Sequence, residues 1–293
     1  YAIYNRKNAA GLYIGWDYFG HWKSQFTQSE DGQVHVRFKV KNFRKALVPG
    51  ESLETPKAFV GLYQGDLDEA GNACLDWQYR YLWDYTRDGW FPAIRMQGVW
   101  PRGVSGEGND LDSAYRKLFR VVDMMRYVGA DVYHRDYGWW DRLGDWNGPD
   151  WRSANNYLQK HQMGLLLYGT LNYAQRNSRV GRLVPDGYPA SGGSGHEMDC
   201  GKEQTVEVIK HELDRWVDQW GPFTWRNDGG FIHSIENGKD DTPTLYQDQG
   251  FRKIIRGFLD KHPDCAFQSV NAGGTCVGYE YTQYSSSTSF QFL

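Results

Sequence analysis

Asp131-Val132-Tyr133-His134-Arg135-Asp136-Tyr137-Gly138-Trp139-Trp140 sets a short apolar strand directly against a carboxylate, a glycine and two tryptophans. Upstream, Leu118, Val121, Val122, Met125 and Val128 are spaced as one face of a helix that Asp112 opens and Gly129 stops. Downstream, Ser153 is placed to cap a second helix ending at Met163-Gly164, and Leu165-Leu166-Leu167-Tyr168 is the next strand. Strands that alternate with helices in units of this length imply a parallel sheet, open or closed.

The same alternation extends in both directions. Ile94 to Val99 is a strand candidate before the first helix, and His196 to Asp199 is another before a helix from Thr205 to Trp220. That helix carries Ile209, Leu213, Trp216, Val217 and Trp220 at spacings of three and four. Phe223-Thr224-Trp225 is the next strand, Phe251, Ile254, Ile255, Phe258 and Leu259 mark the next helix, and Ala266 to Val270 is the sixth strand. Residues 170 to 195, with Gly192, Gly193 and Gly195, read as a long polar loop. A closed eight-stranded barrel takes about 250 residues, whereas roughly 200 follow residue 92, so two C-terminal units are expected to be missing.

Residues 1–90 follow another rule. Val34-His35-Val36-Arg37-Phe38-Lys39-Val40 alternates apolar and polar, Pro49-Gly50 and Gly71-Asn72 are turn signals, and no helical period is visible before residue 75.

Composition narrows the function. A net charge of -3 with no Lys/Arg-rich run gives no electrostatic case for nucleic acid. No apolar run is long enough to span a bilayer. Cys74, Cys200, Cys265 and Cys276 are too scattered for a disulfide framework or a zinc ribbon, and read as mostly buried thiols that leave the compartment open. The histidines show no metal-ligand spacing, and neither H-E-x-x-H nor a phosphate-binding loop occurs. The 13 Trp, 20 Tyr and 14 Phe suit the stacking of sugar faces as well as the filling of a core.

In a parallel α/β fold the ligand lies at the carboxyl ends of the strands. Those ends carry Asp136, Trp139 and Trp140, then Asp145 and Trp146, then Tyr168, Asp199, Trp225 with Asp228, and Asn271 with Gly273 and Gly274. Carboxylates accept hydrogen bonds from sugar hydroxyls, tryptophans form a stacking wall, and glycines admit close backbone approach. Plainer roles stand beside these: Asp199 suits a helix cap, Asp145 a tie within its own loop, and His134 and Arg135 a structural pairing with Asp136.

Four stretches resemble glycoside hydrolase family 36, the α-galactosidases and α-N-acetylgalactosaminidase-like enzymes of clan D. Gly15-Trp16-Asp17-Tyr18-Phe19-Gly20-His21-Trp22 is similar to G-x-x-x-S-G-N-W, and Leu47-Val48-Pro49-Gly50-Glu51-Ser52-Leu53-Glu54-Thr55-Pro56 to L-x-P-G-E-x-F-x-T-P. Asp136-Tyr137-Gly138-Trp139-Trp140 with Gly144-Asp145-Trp146 resembles D-D-G-W-F and G-D-W, and Asn271-Ala272-Gly273-Gly274 resembles C-A/S-G-G. The resemblance implies an α/β fold in which residues 1–90 end an N-terminal β-supersandwich and residues 91–293 form an incomplete catalytic (β/α)8 TIM barrel. The chain would then begin and end inside a larger protein, with open sheet edges that favour association when it is produced alone.

The resemblance also implies a retaining glycoside hydrolase, free of cofactors, acting on a small carbohydrate or glycoconjugate through a glycosyl-enzyme. Its two carboxyl groups stand about 5–5.5 Å apart. The family's nucleophile motif K-W-D becomes Thr224-Trp225-Arg226-Asn227-Asp228: a strict match on Trp225 puts Arg226 at the nucleophile, and a shift of two residues puts Asp228 there, the preferred reading. The acid/base is expected beyond Leu293. Arg135 replaces the first Asp of D-D-G-W and Asn271 the Cys of C-A/S-G-G, changes that admit N-acetylgalactosamine beside galactose. An inactive sugar-binding homologue, a transglycosylase or another α-hexosidase are the alternatives, and a homo-oligomer is left open.

Overall fold

The computed structural model describes residues 1–18, 20, 22–41, 43–82, 97–99, 111–148, 150–188, 196–228, 244–270, 284–285 and 287–288. The glycine motif at residues 192–195 and Asn271, Gly273 and Gly274 lie outside them, as do residues 94–96 of the first strand candidate.

The N-terminal part is antiparallel. β1 (Ala2–Asn5), β2 (Ala10–Asp17) and β5 (Lys57–Gln64) form a sheet in the order β1-β2-β5, and β3 (Trp22–Gln28) pairs with β4 (Val34–Val40). β4 is the alternating stretch read from the sequence. In β2 and β5 the pairing sets Phe59 opposite Gly15, and the ring occupies the space a Cβ would fill.

One helix was not expected here. α1 (Leu67–Trp77) runs straight through Gly71-Asn72, the predicted turn, and continues as a π-helical turn, Gln78–Leu82. Local capping decides it: the Asp66 carboxylate accepts from the Asp68 and Glu69 amides, satisfying donors that a helix start leaves orphaned. Packing then offsets the weak propensity of Gly71, since Trp77 stacks on Phe59 with ring centroids 4.5 Å apart.

The rest is one α/β layer system. β6 (Gln97–Val99), α2 (Leu111–Tyr127), β7 (Val132–Arg135), α3 (Trp151–Lys160), β8 (Gly164–Tyr168), α4 (Arg179–Leu183), α5 (Glu203–Trp220), β9 (Thr224–Asn227), α6 (Thr244–Lys261), β10 (Ala266–Ser269) and β11 (Ser287–Thr288) follow in order. The six strands β6 to β11 lie side by side in chain order, all parallel.

Two local expectations change. The α3 cap is Asp150, which accepts from the Arg152 amide, while Ser153 donates to the Asp150 carboxylate at 2.8 Å. Val128 lies past the end of α2 and is exposed, whereas Val122 and Met125 are buried.

Residues 196–199 are no sheet strand. β8 pairs directly with β9, Leu166 opposite Thr224, so no slot remains between them. The segment instead meets the loop after β8, with the Met198 amide donating to the Asn172 carbonyl and the Ala174 amide to the His196 carbonyl, both at 2.7 Å. The six strands are therefore completed by β11, and Phe223-Thr224-Trp225 belongs to the fourth strand of the sheet.

Strand alternation separates two environments. Tyr133, Leu165, Leu167, Trp225 and Phe267 pack with Ile209, Leu213, Trp216, Phe251, Ile255 and Phe258 of α5 and α6 in the main apolar core. Val132 and Leu166 form a small separate cluster on the opposite face. Arg252 of α6 joins the N-terminal strands to this layer, bridging Asp17 at 2.9 Å and Asp248 at 2.8 Å.

Candidate active site

The face of the sheet turned away from α5 and α6 becomes polar toward the carboxyl ends of its strands. Tyr168, Arg226 and Gln268 are register partners across β8, β9 and β10. The alternation that sends Trp225 to the helix layer sends Arg226 and Asp228 together to this face. The Arg226 guanidinium is 1% exposed; its Nη1 donates to Gln268 Oε1 at 2.6 Å, and its Nη2 lies 3.6 Å from Asp228 Oδ2.

Asp228 is held from a second side. The Tyr168 hydroxyl donates to its backbone carbonyl at 2.7 Å, and the Thr170 hydroxyl, which donates to the Tyr168 phenol oxygen, is 3.1 Å from the same carbonyl. The carboxylate retains 20% exposure, enough for a ligand to reach it.

Asp136 belongs to the same group. Its carboxylate accepts from the Tyr137 amide and stands 3.9 Å from Nε2 of the buried His134. Burial lowers the Arg226 pKa, while Asp228 and then Asp136 oppose that shift, so all three share one electrostatic field. Burial, reinforced by Arg226, pushes His134 far below the ordinary histidine value, so it is neutral.

Aromatic rings line this face. Trp140 stacks on Tyr168 with centroids 5.6 Å apart, and Tyr137 meets both edge-on. Burial drives the Tyr168 phenol up to about 12, so it remains a hydrogen-bond donor at neutral pH.

Asp136, Trp140, Tyr168 and Asp228 are thus brought together, and the other predicted residues are placed elsewhere. Trp139 turns into a cluster with Trp151, Trp216 and Trp220 and donates its indole N–H to the Tyr168 carbonyl at 2.9 Å. Trp225 is fully buried against Phe251 and Phe267, its N–H given to the Gly169 carbonyl. Trp146 is fully buried beside Trp216. Asp145 ties its loop to α4, accepting from the Arg179 amide and standing 3.6 Å from Arg142. Asp199, 2% exposed, accepts from the Gly201 amide ahead of α5 and from the Gln247 side chain.

His134, Tyr137, Thr170 and Gln268 join the site without having been assigned to it, and Arg226, one of the two candidates for the nucleophile position, joins it as a buried partner of Asp228. The signal for Arg226 was present: a pleated strand puts residues two apart on one face, so Thr224, Arg226 and Asp228 belong together and Trp225 does not. Glu197, 2% exposed, is a further buried carboxylate, bridged to the loop after β8 through Tyr173, whose phenol is raised by burial and then by Glu197. Among the described residues no group of acidic, cysteine or histidine side chains is placed to hold a metal ion.

No protein-family model and no curated protein matches this sequence. Solved structures match at the level of the fold. The α-galactosidase from Lactobacillus brevis superposes with a TM-score of 0.79 at 14% identity, over 97% of this chain and 41% of that chain. The glycoside hydrolase family 36 α-galactosidase AgaB from Geobacillus stearothermophilus gives 0.77 at 16%, over 95% and 42%. A variant of AgaA from the same organism, in complex with stachyose, gives 0.78 at 14%, over 99% and 44%. The chain therefore has the α/β fold of part of these glycoside hydrolases and spans less than half of their length.

Proposed function

We propose that this chain is the nucleophile-bearing part of a retaining α-glycosidase that removes terminal α-linked galactose or N-acetylgalactosamine. The observation that carries this reading is Asp228, a partly exposed carboxylate at the end of a parallel strand, held by Arg226 with Asp136 in the same field. The likeness to α-galactosidases supports it. In the same reading the six parallel strands are part of a (β/α)8 barrel wall, and residues 1–90 close an N-terminal β-sandwich.

The chemistry follows from the geometry. Asp228 attacks the anomeric carbon while the bond to the aglycone oxygen breaks, and a second carboxylic acid, outside the described residues, protonates that oxygen. The glycosyl ester on Asp228 is then cleaved by water, which gives its proton back to the second carboxylate. Positive charge develops on the sugar ring in both steps, and the Asp136 carboxylate beside Asp228 stabilises it. Asp136 accepts hydrogen bonds from ring hydroxyls, and Trp140 with Tyr168 offers the apolar wall.

The test uses the complete protein and a panel of aryl α-galactoside, α-N-acetylgalactosaminide and α-glucoside. Turnover of one glycoside with retained anomeric configuration is expected, and Asp228→Ala lowers it by at least about a thousandfold. Full hydrolysis by that variant removes Asp228 from the nucleophile role.

A further inference from the structure

We propose that the cleft between the N-terminal strands and the polar side of α6 is a second ligand site, one that binds a phosphoryl group through Lys57 and Arg256. It shares no residue with the cluster around Asp228 and does not rest on the reading of that residue.

The cleft encloses about 410 Å³, within the range of small-molecule sites. Its two walls are held together at two points. Arg252 of α6 bridges Asp17 and Asp248 and also donates to the Asp17 carbonyl at 3.2 Å. The Gln249 side chain, one residue after Asp248, donates to the Glu54 carbonyl at 3.4 Å. A ligand therefore enters a space that is already formed.

The charges on its lining are matched except at two cations. Lys45 pairs with Glu51, and Lys253 with Glu203 at 3.0 Å. Lys57 is the register partner of Asp17 across β2 and β5, but Asp17 is turned to Arg252. Arg256 follows Arg252 by one helical turn, where like charges repel and an anion between them relieves the repulsion. The Tyr284 phenol stands beside both guanidiniums: burial raises its pKa, while Arg252 and then Arg256 oppose the shift. Lys57 and Arg256 thus reach one cleft from opposite walls, both exposed and neither with an acidic partner among the described residues.

Two cations on opposite walls suit a dianion, and the guanidinium fork matches the oxygens of a phosphate. Ser52 and Thr55, on the loop before β5, add hydroxyl donors to the same cleft. Of the carboxylates on the lining, Asp17 and Asp248 are both bound to Arg252. Glu54 is exposed, and its charge weakens the site.

Isothermal titration of the complete protein with inorganic phosphate and with glucose 6-phosphate tests the proposal, with glucose as the neutral control. Saturable binding of at least one of the two phosphates is expected, weakening as salt is added. Tighter binding of glucose 6-phosphate identifies a phosphorylated sugar as the source of the group, and tighter binding of inorganic phosphate identifies the free ion. The double variant Lys57→Gln/Arg256→Gln should bind at least about tenfold more weakly, having lost two charge-assisted contacts. Its turnover of aryl α-glycosides and its thermal midpoint without ligand should match those of the wild type. Glu54→Gln should tighten binding by about twofold by removing a like charge.

Absence of binding by both phosphates overturns the proposal, and so does equal affinity in the double variant and the wild type. Binding of glucose that the double variant loses in parallel overturns it as well, by making the cleft a site for neutral sugars. Circular dichroism reports whether the double variant folds; if it does not, the two single variants decide, and wild-type affinity in both overturns the proposal.

Discussion

At the scale of single residues the site is governed by what burial does to charge. His134 is 1% exposed, and burial followed by the neighbouring Arg226 pushes its pKa far below the ordinary value, with Asp136 opposing. The folded protein holds the imidazole neutral, whereas the unfolded chain takes up a proton below about pH 6.5. Because the unfolded state then binds more protons, stability falls as pH drops from about 6.5 toward the folded value. His134→Gln should flatten that dependence: the wild type loses about 2 kcal/mol more than the variant between pH 6.5 and 5. Urea denaturation at the two pH values measures this, and equal losses in both proteins would show that His134 does not set the slope.

One partner of this histidine, Asp136 two residues further on, was read from the sequence. The other, Arg226, is 92 positions away in the chain, and only strand pairing brings it into the same field. What was legible was Asp228 itself, from its position just after a strand.

At the scale of elements, α5 and α6 show how far periodicity carries. Of their apolar faces, Ile209, Leu213, Trp216 and Trp220, and Phe251, Ile254, Ile255, Phe258 and Leu259, are buried as the spacing predicts, while Val217 is only half-buried. Periodicity says nothing of how closely α6 approaches its neighbours. A Cβ at Gly250 would stand 1.7 Å from the Cys200 carbonyl oxygen, so the backbone of α6 touches the turn before α5 with no room for a side chain. Gly250→Ala should therefore destabilise the protein by about 3 kcal/mol through overpacking, even though alanine is the better helix former. A thermal midpoint equal to or above wild type would show that the turn yields freely.

Short elements escaped the sequence reading for a different reason. α1 depends on the Asp66 cap and on Trp77 packing over Phe59, and α4 is five residues long, too short for a period to register. Residues 196–199 were read as a strand from their place between a loop and a helix, yet β9 occupies the place beside β8.

At the scale of the whole molecule, the sheet is outlined by β6 and β11, which among the described residues are each paired on one side only. Val60 and Leu62 of β5 are 61% and 80% exposed, an apolar face in a part whose sheets are small. Unpaired strand edges and bare apolar strand faces template association. The 293-residue chain produced by itself should therefore elute as associated species at micromolar concentration. A single monomeric peak in size-exclusion chromatography with light scattering would show that these edges are protected.

The sequence by itself determined the alternation of strands and helices after residue 92, the faces of the long helices, and the strand ends at which carboxylates collect. Those are local properties, written in periods of two and 3.6 residues and in the residue that follows each strand. Tertiary structure decided which of those strand ends share a site. Trp139, Trp146 and Trp225 stand next to the predicted carboxylates in the chain but point into the helix layer, while Arg226 faces Asp228 and donates to Gln268. The physical reason is that the pleat assigns each residue a side, and only the pairing of strands far apart in the chain determines what meets it there.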